Sequence, residues 1–274
     1  IGSGQEINTG EAGLSEWGKT LSQGFANWEI YISPELMDSH TSIEEYKLFE
    51  NTPSNLVINE VPELHLKVCI RSYKAEKVSD WVSAVLNNDL MTAKEILQKD
   101  LKDYPIHITR SLETTKSFLR RKNRGSRRSG LVASSGARRL RPFGIDVTSD
   151  LDEAQWFLNP NDDVRSSSFL ELAATEFAIQ GLELDWVGLC WGGDFRKIED
   201  GWSYHRFKGT KWQNEKKDER KQFIKNKYRV LMTRGREGLI IFIPHGSEND
   251  HTRPSQNYDP VFNYFKRIGV LEIQ

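Results

Sequence analysis

Lys227-Tyr228-Arg229-Val230-Leu231-Met232-Thr233-Arg234-Gly235-Arg236 is followed, two residues on, by Leu239-Ile240-Ile241-Phe242-Ile243. The second run is apolar throughout, the pattern of a central strand covered on both faces of a parallel sheet. In the first, Tyr228 and Leu231 continue the helical spacing begun at Ile224. The stretch therefore reads as a helix feeding a buried strand.

The same grammar extends both ways. Downstream, Asp259-Pro260 opens a helix with Val261, Tyr264, Phe265 and Ile268 on one face. Gly269 suits its C-terminal cap, and residues 270–273 form a last short strand. Upstream, residues 184–191, Phe169-Leu170-Glu171-Leu172 and Leu131-Val132-Ala133 read as strands. Ser111 is placed to cap a helix running through Phe118 and Leu119. Val78, Trp81, Val82, Val85 and Leu86 lie at helical spacing, and Leu90, Met91, Ile96 and Leu97 mark another helix. Residues 64–70 and 28–32 alternate as strands, residues 38–60 are irregular, and residues 1–18 form a loop. Strands alternating with helices predict an α/β fold with a mostly parallel sheet flanked by helices. Residues 201–222, with Trp202, Tyr204, Phe207 and Trp212, predict a hairpin insertion and then a charged helix start.

Hydrophobic residues make up 37% of the 274 and aromatics 11%, enough for a substantial core. Charged residues reach 28%, yet the net charge is −1, so charge balance alone names no partner. Cys69 and Cys190 sit in apolar runs and read as buried thiols. His107, His205, His245 and His251 lack ligand spacing, so no metal site is expected. There is no Ser–His–Asp signature. No apolar run approaches the roughly 20 residues that span a bilayer, and no membrane association is expected. The first residues are no signal peptide. They read as the end of a strand entering a turn, which predicts a soluble, cytoplasmic fragment of a longer chain.

Four segments occur in an order that matters: Gly4-Gln5-Glu6-Ile7-Asn8, Ile70-Arg71-Ser72-Tyr73, Ala174-Thr175-Glu176-Phe177-Ala178-Ile179-Gln180-Gly181-Leu182-Glu183-Leu184-Asp185, and residues 227–236. They resemble motifs III, IV, V and VI of superfamily 1 helicases. More closely, the chain resembles the Schlafen group 3-type DNA/RNA helicase domain. That resemblance rests on residues 4–17, residues 174–188 and Thr252-Arg253-Pro254 with a following Asp, and it covers nearly the whole chain. It implies a RecA-like second motor lobe over residues 66–274, with the insertion near 195–222. Residues 1–65 would be the tail of the first lobe. The P-loop lobe of the same protein would be the missing partner, ATP and Mg²⁺ the cofactors, and DNA or RNA the track.

The resemblance also implies roles. Arg234 matches the motif VI arginine, Arg71 the motif IV arginine and Gln5 the γ-phosphate-sensing glutamine. Gln180, Gly181, Glu183 and Arg236 fall at nucleotide-binding positions, with Glu183 on the ribose. Guanidinium groups suit this chemistry because they stay protonated and offer forked donors to developing phosphate charge. Singly, each residue has a plain alternative: Arg234 and Arg236 flank a helix end, where cations favour the dipole anyway. A non-catalytic RecA-like module that binds nucleic acid or protein is the rival reading.

Arginines crowd residues 120–141. Arg127, Arg128, Arg138 and Arg139, with Thr175, are the candidates for nucleic-acid contact. A solvated loop is the equal alternative. Trp202 and Trp212 are candidates either for stacking on bases or for packing the hairpin. Gly13-Leu14-Ser15-Glu16-Trp17-Gly18-Lys19-Thr20 literally satisfies the P-loop pattern, but no buried apolar strand precedes it. Lys19 is therefore expected at the surface near a helix start.

Overall fold

The computed structural model describes residues 14–37, 48, 49, 51, 53–64 and 73–274. The chain divides into two compact units, Ile1–Ile70 and Arg71–Gln274. The first contains α1 (Leu14–Gly24), β1 (Glu29–Ile32) and β2 (Val57–Glu60). β1 and β2 pair in parallel, with Glu29 opposite Val57. Ile30 and Ile32, two residues apart on one face of β1, join Leu14, Leu48 and Phe49 in a small core. β2 lies within the stretch expected to be irregular. The P-loop look-alike is helical from Leu14 onward, which corrects the loop expected through residue 18 and leaves no open loop there to cradle phosphates. Lys19 is exposed and pairs with Glu16 at 3.3 Å.

The second unit runs α2 (Tyr73–Leu86), α3 (Leu90–Lys99), β3 (Ile106–Thr109), α4 (Leu112–Lys122), β4 (Ser129–Ala133), α5 (Glu153–Leu158), β5 (Ala173–Ala174), α6 (Glu176–Ile179), β6 (Leu184–Cys190), β7 (Phe195–Ile198), β8 (Gly201–Lys208), β9 (Lys211–Asn214), α7 (Asp218–Met232), β10 (Gly235–Phe242), α8 (Asp259–Ile268) and β11 (Leu271–Glu272). Its main sheet has six strands in the order β11-β3-β10-β6-β4-β5, every pairing parallel. This is the helix-flanked α/β arrangement expected of a RecA-like lobe. β7, β8 and β9 form a separate antiparallel sheet between β6 and α7.

The local signals act as read. Ser111 Oγ accepts the Thr114 amide at 3.1 Å at the start of α4. Gly269 closes α8 at φ 103°. Leu239 through Phe242 of β10 are at most 1% exposed. Two further readings, both in the second unit, need correction. The strand expected at Phe169 to Leu172 does not form: Ser167–Phe169 is a 3₁₀ turn and Leu170 takes φ 66°. Leu170 is fully buried, and this left-handed step drives it into the core at the cost of extended backbone. Pairing with β4 begins only at Ala173. β3, which the sequence pattern does not announce, is an interior strand between β11 and β10. The strand expected over 64–70 lies outside the described residues beyond Leu64, which itself ends a 3₁₀ turn.

α4 covers one face, over β3, β4, β6 and β10. Gly188 of β6 lets it close in, since a β-carbon there would crowd Leu119 and Thr115. The opposite face carries α7, where Trp191 meets Tyr228 with ring centroids 4.4 Å apart. Trp191 also stacks with Phe195 and Trp202 of the antiparallel sheet, which anchors that sheet to the main one. Because all six strands run one way, their first residues line one edge of the sheet and their last residues the other.

Candidate functional site

At the leading edge, β6 and β10 lie side by side, with Leu184 opposite Gly235. This brings the segment before β6, Gln180 to Glu183, against the segment entering β10, Arg234 to Arg236. Gly181 adopts φ 85°, and the space where a β-carbon would stand is open. That conformation suits glycine and allows close backbone approach. Gln180 is exposed and Glu183 half-buried. Arg236, with a side chain 58% exposed, pairs with Asp185 at 2.7 Å. The other carboxylate oxygen of Asp185 accepts the Arg128 amide at 2.7 Å. Arg234 is 1% exposed. Its Nε donates to the Val230 carbonyl at 3.1 Å and its Nη2 to Thr233 Oγ1 at 3.2 Å. Gln5 and Arg71 lie outside the described residues.

At the trailing edge, Thr175 follows β5 and stands at the head of α6, where its side chain makes no cap bond. Nearby, Ser134 and Ser135 leave β4 and meet two buried carboxylates that the sequence reading did not single out. Glu176, fully buried, accepts the Ser135 amide at 2.8 Å and the Ser135 hydroxyl at 2.5 Å. Lys227 of α7 pairs with Glu176 at 2.9 Å and donates to Ser135 Oγ at 2.8 Å. Asp194, 1% exposed, accepts from Ser134 Oγ at 2.6 Å and from Tyr228 Oη at 2.8 Å. Tyr228 Oη in turn accepts the Gly192 amide at 3.1 Å. Burial pushes the Asp194 carboxyl above its ordinary range, against the pull of the Ser134 and Tyr228 hydroxyls. Burial also pushes the Tyr228 phenol up, and Asp194 adds to that shift.

β4 divides the arginine-rich stretch. Arg127 and Arg128 precede it, and Arg138 and Arg139 follow it, so they fall at opposite edges of the sheet. The five residues of β4 amount to about 16 Å of strand. Most of these arginines already have protein partners. Arg127 grips both oxygens of Glu237 at 2.9 and 2.8 Å. Arg128 donates to the carbonyls of Asn159 and Leu158, each at 3.0 Å. Arg139 holds Asp250 and Thr252 at 2.7 Å each. Arg138 is exposed. The two tryptophans of the insertion pack inward: Trp202 Nε1 donates to the Val85 carbonyl at 3.2 Å, and Trp212 Nε1 to the Thr252 carbonyl at 2.7 Å.

Among the described residues, no group of three or more His, Cys, Asp or Glu side chains is placed to hold a metal. Cys190 is buried and free, with its thiol pushed up to about 12 by burial. No helix among the described residues is long and apolar enough to cross a membrane.

No curated protein matches the chain. A family profile does: the one described as "Schlafen group 3, DNA/RNA helicase domain" matches residues 1–245. That span takes in both units up to the end of β10, including the two segments joined at the leading edge and both buried carboxylates. The chain therefore belongs to the Schlafen group 3 DNA/RNA helicase domain family.

Proposed function

We propose that the chain supplies the second lobe of an ATP-dependent nucleic-acid motor. A P-loop-bearing lobe of the same protein would complete the nucleotide site and hold Mg²⁺. The observation that carries this reading is the junction at the leading edge, where Leu184 hydrogen-bonds to Arg234. It brings the segment Gln180 to Glu183, which enters β6, against the segment Arg234 to Arg236, which enters the adjacent β10, although some 50 residues of sequence separate the two. The open space beside Gly181 fits a nucleotide approaching the backbone. Bound ATP would supply the scissile phosphoanhydride. Glu183 would accept from its ribose, and Arg234 and Arg236 would meet the charge that develops on its phosphates. DNA or RNA would lie along the trailing edge, near Thr175 and the serine loop after β4.

A non-catalytic module is the second reading, and one observation favours it: Arg234 is 1% exposed with its guanidinium turned back onto its own helix. The two readings part in a protein joining this chain to a P-loop lobe. Nucleic-acid-stimulated ATP turnover supports the motor; its absence, with nucleic-acid binding retained, leaves the binding module.

A further inference from the structure

Beside the leading-edge junction, but sharing no side chain with it, the end of α4 and the loop before β4 border an open pocket of ≈ 610 Å³ lined by Phe118, Arg121, Lys122, Arg124, Arg127, Trp186 and Glu237. Four cations face one carboxylate. That carboxylate is already occupied, by Arg127 through both oxygens and by Trp186 Nε1 at 3.0 Å. Among the described residues, Arg121, Lys122 and Arg124 have no carboxylate within ion-pair distance. The α4 dipole accounts for cations in its last turn, Arg121 and Lys122 included. It does not account for Arg124 and Arg127, which come after the helix and face the same space.

The walls decide which anion fits. Lys122 Nζ sits 4.6 Å from the Trp186 ring centroid and 5.5 Å from that of Phe118. Phe118 packs edge-on to Trp186 at 5.5 Å and to His107 at 5.2 Å. The aromatic rings are thus committed to each other and to an ammonium, with Trp186 5% and Phe118 8% exposed. The cavity offers positive charge without a free stacking face. A mononucleotide gains much of its affinity by burying its base, and no ring is free for that here. A polynucleotide backbone presents phosphates in a row and leaves its bases outside. We propose that this pocket is a sequence-independent site for the phosphate backbone of single-stranded nucleic acid, next to the leading-edge junction and at the opposite edge of the sheet from the serine loop. The inference shares with the motor reading only the class of partner and needs no ATP chemistry.

The test is fluorescence anisotropy of the 274-residue chain with a labelled oligothymidylate, titrated across salt. Arg121→Glu with Arg124→Glu alters two exposed side chains; Lys94→Glu with Lys102→Glu is the charge-matched control on another surface. The pocket variant should bind about tenfold more weakly, and its log–log salt slope should fall by about 1.4, roughly 0.7 for each phosphate that is no longer neutralised. The control should bind as the unaltered chain does, and the melting temperatures of all three should agree. Equal affinity in the pocket variant and the control overturns the proposal. So does poly-glutamate competing as well as the oligonucleotide at equal charge. In a protein joining this chain to a P-loop lobe, absent nucleic-acid-stimulated ATP turnover alongside the predicted anisotropy loss would count against the motor reading and not against the pocket.

Discussion

The Leu184 amide donates to the Arg234 carbonyl at 3.0 Å, so the strand that follows the Gly181 turn and the residue that ends the α7 connection share one rung of the sheet. In a protein carrying both lobes, Arg234→Ala should lower kcat for ATP hydrolysis by on the order of 10² while changing ATP affinity far less. Arg234→Lys should rescue poorly, because an ammonium lacks the forked donors. Since Arg234 is buried, the alanine variant also loses packing, and turnover is to be compared well below both melting temperatures. A fall in melting temperature with normal turnover would assign Arg234 a structural role.

Asp185 should matter more to stability than the arginine it pairs with. It is 7% exposed and holds both the Arg128 amide and the Arg236 guanidinium. Asp185→Ala leaves the amide without its acceptor and should cost about 1–3 kcal/mol. Arg236→Ala removes only a largely exposed partner and should cost less than about 1 kcal/mol. Urea denaturation of the two variants gives the comparison; equal losses would mean that the ion pair, and not the amide bond, carries the effect.

Glu176 is the acid to remove when testing the trailing edge. Glu176→Ala removes the carboxylate that Lys227, with a side chain 16% exposed, is paired with, and should cost about 3–5 kcal/mol. Combining it with Lys227→Met should recover part of that loss, because the stranded charge goes too. Unfolding free energies for the two singles and the double form a cycle; strict additivity would show that the pair does not interact.

Two titrations of opposite sign should appear in the stability profile. Burial, with Arg196 nearby, lowers the His205 imidazole to about 4 from the usual 6.5. The unfolded chain therefore takes up this proton first, and the stability it contributes is complete above about 6.5 and lost as pH falls toward about 4. His205→Gln should flatten that acid limb. Asp194 behaves oppositely: its raised folded value means stability that is full below the ordinary carboxylate range and is lost as pH rises through the folded value. Asp194→Asn should therefore gain on the unaltered chain at neutral pH and lose that advantage on acidification. Parallel profiles for all three proteins would contradict both assignments.

The helix-to-strand junction at 227–243 was legible because its signal is local: apolar spacing of 3.6, then five apolar residues in a row. β3 escaped because Ile106-His107-Ile108-Thr109 is short and half polar, and only its neighbours β11 and β10 make it an interior strand. The false strand at Phe169 to Leu172 shows the reverse: the pattern is apolar, but the backbone turns at Leu170 to bury it. The buried carboxylates gave no local signal at all. Glu176 looks like an ordinary acid in the first turn of a helix, and its partners Ser135 and Lys227 lie 41 residues before it and 51 after it. For Arg234, the inward turn of its guanidinium depends on side-chain packing that no motif encodes.

Lys227 and Tyr228 are successive residues of one helix, so their side chains leave it about 100° apart. Both are bound, through Glu176 and Asp194, to the consecutive serines at the end of β4. A rod held at two such bearings cannot roll about its own axis without breaking one of them. A slide of α7 along its length would load the same two bonds. A displacement imposed at Arg234 would then be delivered, about 10 Å away, to the serine loop as a push or a pull.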